Sequence, residues 1–268
     1  LLDADVSDDL TTWFAKEIAD KSTEQKELIS LINTKDWMGE GHHCYQLQNE
    51  EDTYGIVEKL LKQGKRVYFH CGFSDKTEER RISSIVRLFQ EIFPEKKIFG
   101  FDANSAPREL RKNADEYIDW LITNGGVDLI IHSPWSKIGW DYNGKHHFDA
   151  TVGSYPHTFM TAPDIAQQMR RPRQTKLHYV WTGRKPKNAE ERLIKLEETW
   201  DNHDDIKKLK KDTPAELAER ARRKKAREEA NIGLHLKMIL KERDCRFHSS
   251  FSTDVDVGQV EHLLTKYG

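Results

Sequence analysis

The residues in this sequence best suited to chemistry are arginines. Arg170, Arg171 and Arg173 close the run Asp164-Ile165-Ala166-Gln167-Gln168-Met169-Arg170-Arg171-Pro172-Arg173. A guanidinium offers fixed donors that match phosphate oxygens, so such a cluster suits phosphate recognition or the stabilisation of charge in phosphoryl transfer. Taken alone, solvated arginines or ion pairs with the many carboxylates explain it better. A second segment, Ser133-Pro134-Trp135-Ser136-Lys137-Ile138-Gly139-Trp140-Asp141-Tyr142, belongs to a connector running on to Lys145. Ordinary connectors need about two to six residues, and long patterned loops on rigid scaffolds tend to carry function. A third, His70-Cys71-Gly72-Phe73-Ser74-Asp75-Lys76-Thr77, is a strand-to-helix turn whose free amides could hold a phosphate. An ordinary N-cap explains that turn better when it is taken alone.

These segments need a scaffold, and the periodicity from Asp52 to Thr182 supplies one. Apolar residues at Ile56, Val57, Leu60 and Leu61 mark a helix over 52–62, and Ile82, Ile85, Val86, Leu88, Phe89 and Ile92 mark one over 76–92. Further helices are expected around Tyr117–Ile122, closed by Gly125-Gly126, and over 163–170. Strands are expected at 66–70, 98–101, 128–132, 148–152 and 177–181. Strands alternating with helices predict βαβ units, and near-continuous apolar strands predict a doubly wound parallel sheet covered on both faces. In such sheets ligands bind at the carboxyl ends of the strands, where all three segments are expected.

Composition is compatible with this. The chain has 268 residues, 37% hydrophobic and 33% charged, with a net charge of −2. That allows one sizeable core under a highly charged surface, and a near-neutral total does not exclude a nucleic-acid partner. Cys44, Cys71 and Cys245 are widely spaced and form no C-x-x-C pair, so a disulfide framework is not expected and a reducing, intracellular compartment is. No apolar run reaches membrane-spanning length. Leu1-Leu2-Asp3-Ala4-Asp5 reads as the end of a buried strand, so the chain is expected to be a piece of a longer protein.

Beyond Thr182 the composition turns to Glu, Lys and Asp. A thin apolar stripe (Leu193, Ile194, Leu196, Trp200) suggests one helix, and Thr213-Pro214 with Glu216 is a capping signature for another running to Leu240. Three regions are expected: 1–48, the end of a preceding lobe and a linker; 49–183, the sheet domain; 184–268, a charged helical extension. Arg220, Arg222, Arg223, Lys224, Lys225 and Arg227 make the second helix basic, able to grip a phosphate backbone or to be balanced by Glu216, Glu219, Glu228 and Glu229. His42-His43-Cys44 and His146-His147 hold metal-ligand residue types without a coherent zinc spacing, so no metal site is expected.

In this order the three segments resemble the second RecA-like lobe of superfamily 2 helicases. Within them, the resemblance is to the branch around the herpesvirus origin-binding protein and related plasmid or phage replication helicases. Val67 to Lys76 resembles motif IV, the strand leading to Gly139-x-Asp141 resembles motif V, and Gln167-x-x-x-Arg171-x-Arg173 resembles motif VI. Leu2-Asp3-Ala4-Asp5-Val6-Ser7-Asp8 resembles the motif III region that ends the first lobe. The likeness covers about residues 1–182. It implies Gln167, Arg171 and Arg173 as catalytic residues, Gly139 and Asp141 at the nucleotide, and Ser74, Lys76, Ser136 and Lys137 on DNA. Arg223, Lys224 and Arg227 are added from the basic run. In motif VI the second arginine commonly lies three residues after the first; here Arg173 lies two after Arg171, which leaves the finger open between them.

No G-x-x-x-x-G-K-[ST] phosphate loop occurs in the chain. The resemblance therefore implies half an active site, with ATP and Mg held mainly by a first lobe of the same polypeptide, and a DNA-stimulated ATPase only in the whole protein. A cytoplasmic bacterial, plasmid or phage setting goes with it. Two readings compete. One is a non-catalytic nucleic-acid-binding module with a RecA-like fold. The other is a doubly wound enzyme such as a glycosyltransferase, disfavoured because the first βα turn has no glycine-rich fingerprint.

Overall fold

A computed structural model describes residues 41–72, 82–102, 105–133, 142, 146–156, 160–183, 194–195, 198 and 213–251. Seven strands form one parallel sheet: β1 (His43–Leu47), β2 (Val67–Cys71), β3 (Ile98–Phe101), β4 (Leu129–His132), β5 (Ala150–Tyr155), β6 (Leu177–Thr182) and β7 (Arg246–Phe251). Their spatial order is β3-β4-β2-β5-β6-β1-β7. The helices are α1 (Glu51–Lys62), α2 (Ile82–Ile92), α3 (Arg108–Lys112), α4 (Ala114–Gly125), α5 (Ala162–Met169), α6 (Pro214–Ala230) and α7 (Ile232–Glu242). The sheet with α1–α5 and α7 is one compact unit, and α6 belongs to a second.

Side chains alternate across a strand, so each strand feeds two cores. On one face Val67, Phe69, Cys71, Leu129, Ile131, Ala150 and Val152 pack with Val57, Leu61, Ile85, Leu88 and Phe89 of α1 and α2. On the other face there are two separate clusters. Tyr68 and Ile130 meet Leu110, Ile118 and Leu121 of α3 and α4. Cys44, Tyr155 and Val180 meet Ile165, Ala166 and Met169 of α5 and Leu236 and Leu240 of α7. Burial on both sides is why the central strands read as unbroken apolar runs.

Local signals set the helix ends. Asn113 caps α4, its side chain accepting the Glu116 amide at 3.3 Å while its own amide group donates to the Glu116 carboxylate at 3.1 Å. Gly126, at φ 72°, closes that helix in a conformation costly for any residue with a Cβ. Thr161 and Asp164 form a reciprocal capping box on α5, with Pro163 in its first turn. That box fixes where α5 starts, and hence where its arginine-bearing end falls.

The doubly wound parallel sheet is as expected, with four differences in detail. His43–Leu47 is a strand, and its apolar residues are too few to announce it. The expected strand over 148–152 runs later, from Ala150 to Tyr155. The long helix from Thr213 breaks at Asn231 into α6 and α7. The tail is also not wholly helical, because β7 adds to the sheet beside β1. The expected strand at Leu1–Asp5 and the expected helix over 185–211 lie outside the described residues, apart from 194–195 and 198 of the latter. Among the described residues no helix is long and apolar enough to cross a membrane.

Candidate functional site

Three adjacent strands, β4, β2 and β5, bring their carboxyl ends together, each ending one residue beyond the one before. His70 is in register with His132 on one side and Gly153 on the other. The His70 and His132 rings meet edge to face at 4.5 Å, and the Tyr155 ring lies 5.2 Å from His70. Tyr155 fits there because Gly153 and Gly72 lack side chains. A Cβ on either would stand 2.5 Å and 2.4 Å, respectively, from its ring. His70, His132 and Tyr155 are at most 1% exposed. Among the described residues neither ring nitrogen of His70 and not the Tyr155 hydroxyl has a hydrogen-bond partner. Burial, then the His132 and Arg171 charges, push the His70 imidazole well below its ordinary range. Burial takes His132 down to about 3 against the raising effect of its bond to the Ser133 carbonyl. Burial thus favours the neutral form of both rings.

The arginine segment is at the other end of the sheet. A crossover helix runs antiparallel to the strands it connects, so α5 starts at the carboxyl edge and delivers residues 170–176 to the amino edge. Thr175 donates to the Phe148 carbonyl at 3.1 Å, just before β5 begins. This corrects the expectation that all three segments lie at the carboxyl ends. Two of them meet nonetheless. Tyr142, which follows Asp141, forms a parallel bridge with Pro172: its amide donates to the Arg171 carbonyl at 2.9 Å, and its carbonyl accepts the Arg173 amide at 3.1 Å. The Tyr142 hydroxyl donates to Asp119 at 3.0 Å, anchoring the bridge on α4.

Within this segment the side chains diverge. Arg171 is 6% exposed, and its Nε donates to the Gln168 side-chain Oε1 at 3.3 Å. Its positive charge adds to burial in lowering the His70 and His132 imidazoles and works against burial in lowering the Tyr155 hydroxyl. Arg173 is exposed and Gln167 half-buried. On α6, Arg220 pairs with Glu216, and Arg222 with Glu219 at 2.9 Å, while Arg227 is exposed and Arg223 half-buried. Ser74, Lys76, Ser136, Lys137, Gly139, Asp141 and the Lys224 side chain lie outside the described residues. The sequence reading missed His70, His132, Tyr155 and Gln168. The available signal was a histidine ending each of two apolar strands.

A different buried chain crosses the amino edge. The His42 Nδ1 and His178 Nε2 atoms are 3.1 Å apart, and the other His178 nitrogen is 2.6 Å from the Thr151 hydroxyl. Burial first, then neighbouring positive charge from Arg170, lowers His42 to about 4; burial, then His42 and Arg170, lowers His178 to about 3. No group of three or more His, Cys, Asp or Glu residues that could hold a metal occurs among the described residues.

No family model matches the chain, and no curated protein matches it. Among solved structures it is similar to the C-terminal part of the Fun30 ATPase domain, at 14% identity over 69% of this chain and 52% of that one, with a TM-score of 0.34. It is similar to a Dbp5 variant of S. cerevisiae bound to RNA and ADP BeF3, at 13% identity over 99% and 54%, TM-score 0.45. It is also similar to the Sulfolobus solfataricus SWI2/SNF2 ATPase core domain, at 12% identity over 55% and 28%, TM-score 0.34. The chain spans about half or less of each of these structures.

Proposed function

We propose that this chain is the C-terminal motor lobe of an ATP-dependent DNA helicase, of the origin-binding or plasmid and phage replication type. The observation that carries the reading is the Tyr142 bridge. It joins the end of the motif V-like segment to the motif VI-like arginines on a doubly wound parallel sheet. The long patterned loop and the arginine segment, which meet at residues 142 and 172, are one local structure. ATP and Mg would be held mainly by a first lobe of the same polypeptide, since this sequence has no phosphate loop. The described residues suit a phosphate partner in one respect: Arg173 presents an exposed guanidinium from a backbone pinned on both sides by Tyr142. DNA would be contacted by the loops bearing Ser74, Lys76, Ser136 and Lys137, and by Arg223, Lys224 and Arg227.

Steady-state ATP hydrolysis with and without DNA tests this. The protein carrying both lobes should hydrolyse ATP faster when DNA is added, and the 268-residue chain alone should not hydrolyse it. Robust DNA-stimulated hydrolysis by the purified chain alone would refute the two-lobe reading. DNA binding without any hydrolysis by the two-lobe protein would favour the non-catalytic module.

A further inference from the structure

We infer that β7 is an acid-released edge strand: the imidazoles of His43 and His248 latch it to β1 at neutral pH and push it away once both carry a proton. The inference stands on the fold of this chain and does not depend on the helicase reading.

β7 is held lightly. Among the described residues β1 is its single neighbour in the sheet, and their pairing is regular for three residues only. His43 stands opposite Arg246, Cys44 opposite Phe247 and Tyr45 opposite His248, and the register shifts before Leu47. Side chains add a hold on each face. On one, Phe247 packs at the margin of the cluster around Leu236 and Leu240. On the other, the His248 ring stacks on Tyr45 at 4.4 Å, and its Nε2 lies 3.1 Å from Nδ1 of His43. The two imidazoles are within 4° of coplanar, and their centroids are 5.4 Å apart, the N···N distance extended by the radius of each ring. The two nitrogens therefore face each other in one plane, one carrying the hydrogen and the other accepting it.

Such a pair tolerates one added proton, which sits on the far nitrogen of the donor ring. A second has to go onto the accepting nitrogen, and two N–H groups with two positive charges then meet across the 3.1 Å gap. Little nearby offsets those charges. The same face carries Tyr45 on β1, Leu177 and Tyr179 on β6 and Arg246 on β7, with Lys176 preceding β6 and Asp244 preceding β7. Asp244 is the one carboxylate among these residues, against Lys176 and Arg246. The neighbouring pair, His42 with His178, has the same geometry, but its rings are buried and β6 has a strand on each side. His43 and His248 are only half-buried, so protons reach them without unfolding of the sheet. Imidazole is the side chain whose charge changes between pH 5 and 8. Loss of the latch leaves β7 on Phe247 and a short ladder, and its departure opens the edge of β1 to another strand.

Amide hydrogen exchange of the 268-residue chain between pH 7.5 and 6, corrected for the intrinsic rate at each pH, tests this. The amides of Arg246–Phe251 should open on their own, with less protection than those of Val67–Cys71 in the middle of the sheet. Their protection should fall by about 3- to 10-fold per pH unit, the dependence that uptake of up to one proton gives. His248→Phe keeps a ring against Tyr45 and removes the bond and the charge. It should lower the protection of Arg246–Phe251 a few-fold at pH 7.5 and leave it flat on acidification, with the pH dependence of Val67–Cys71 as in the parent. His43→Phe should act in the same way. In nitrogen-15 spectra of the parent's imidazoles, double protonation of His43 and His248 should coincide with the loss of protection at β7, a reading that needs no variant to fold. Protection at Arg246–Phe251 that is flat with pH in the parent overturns the inference, as does a decline equally steep in the parent and both variants. So does a doubly protonated pair with β7 still protected.

Discussion

Acidification should unfold this protein before its carboxylates begin to titrate. His42, His132 and His178 are held at about 4, 3 and 3 in the folded chain, mainly by burial, and His70 is held well below its ordinary value. Each returns to about 6.5 when the chain unfolds. The unfolded state therefore binds more protons, so stability is complete above pH 6.5 and declines as pH falls toward 4. Between pH 6.5 and 5.5 each such histidine costs about 1 kcal/mol, so the four together cost about 4 kcal/mol. That is a large share of the roughly 5–15 kcal/mol that holds a domain together. Asp149 does not add to the decline in this window. Burial raises its carboxyl, but the Arg66 amide and the Lys65 and Arg66 charges outweigh that and hold it below 3.8, so its contribution is lost only below that pH. Urea unfolding followed by tryptophan fluorescence at pH steps from 7.5 to 5 measures the slope, and with it the protons taken up. Uptake of about three to four protons near pH 5.5 is expected. Stability that stays flat between pH 6.5 and 5 would show that these imidazoles are not neutral and buried as described.

Further outcomes follow from single contacts. Gly153→Ala should cost about 1–3 kcal/mol by overpacking against the Tyr155 ring, and most of that cost should vanish in a Tyr155→Leu background; a cost that persists there would place the conflict elsewhere. Thr161→Ala removes half of the capping box of α5 and should destabilise by about 1 kcal/mol in calorimetry, with an unchanged midpoint refuting the cap. Replacing Arg223, Lys224 and Arg227 together with Ala should weaken DNA binding about equally for all sequences. It should also flatten log affinity against log salt by up to about 0.7–0.9 per lost phosphate contact; fluorescence anisotropy with an unchanged slope would make α6 a brace only.

What the sequence disclosed depended on how apolar an element's own residues are, not on how many neighbours it has. β2 and β4 are covered on both faces and read as apolar runs, and the edge strand β3 is apolar enough to be announced as well. β1 carries histidine, tyrosine and glutamine, and β7 has an exposed arginine, so neither is announced. The arginine segment was recognisable as chemistry from its residue types. Its location at the amino edge required knowing the direction of α5, and the burial of Arg171 required the packing around it. The His42–His178–Thr151 chain joins residues 27 and 136 positions apart, separations that no local pattern encodes.

The place of β7 has a consequence for synthesis. β1 lies between β6 and β7, and its His43 meets His248 across a separation of 205 residues. A ribosome adds about 5–20 residues per second. β1 therefore waits roughly 10–40 seconds for β7, and until then it has an open hydrogen-bonding edge available to other nascent chains. Removing β7 should leave a chain that can form most of the sheet but collects in aggregates. The yield of soluble protein is thus expected to depend on β7, made long after the strand it covers.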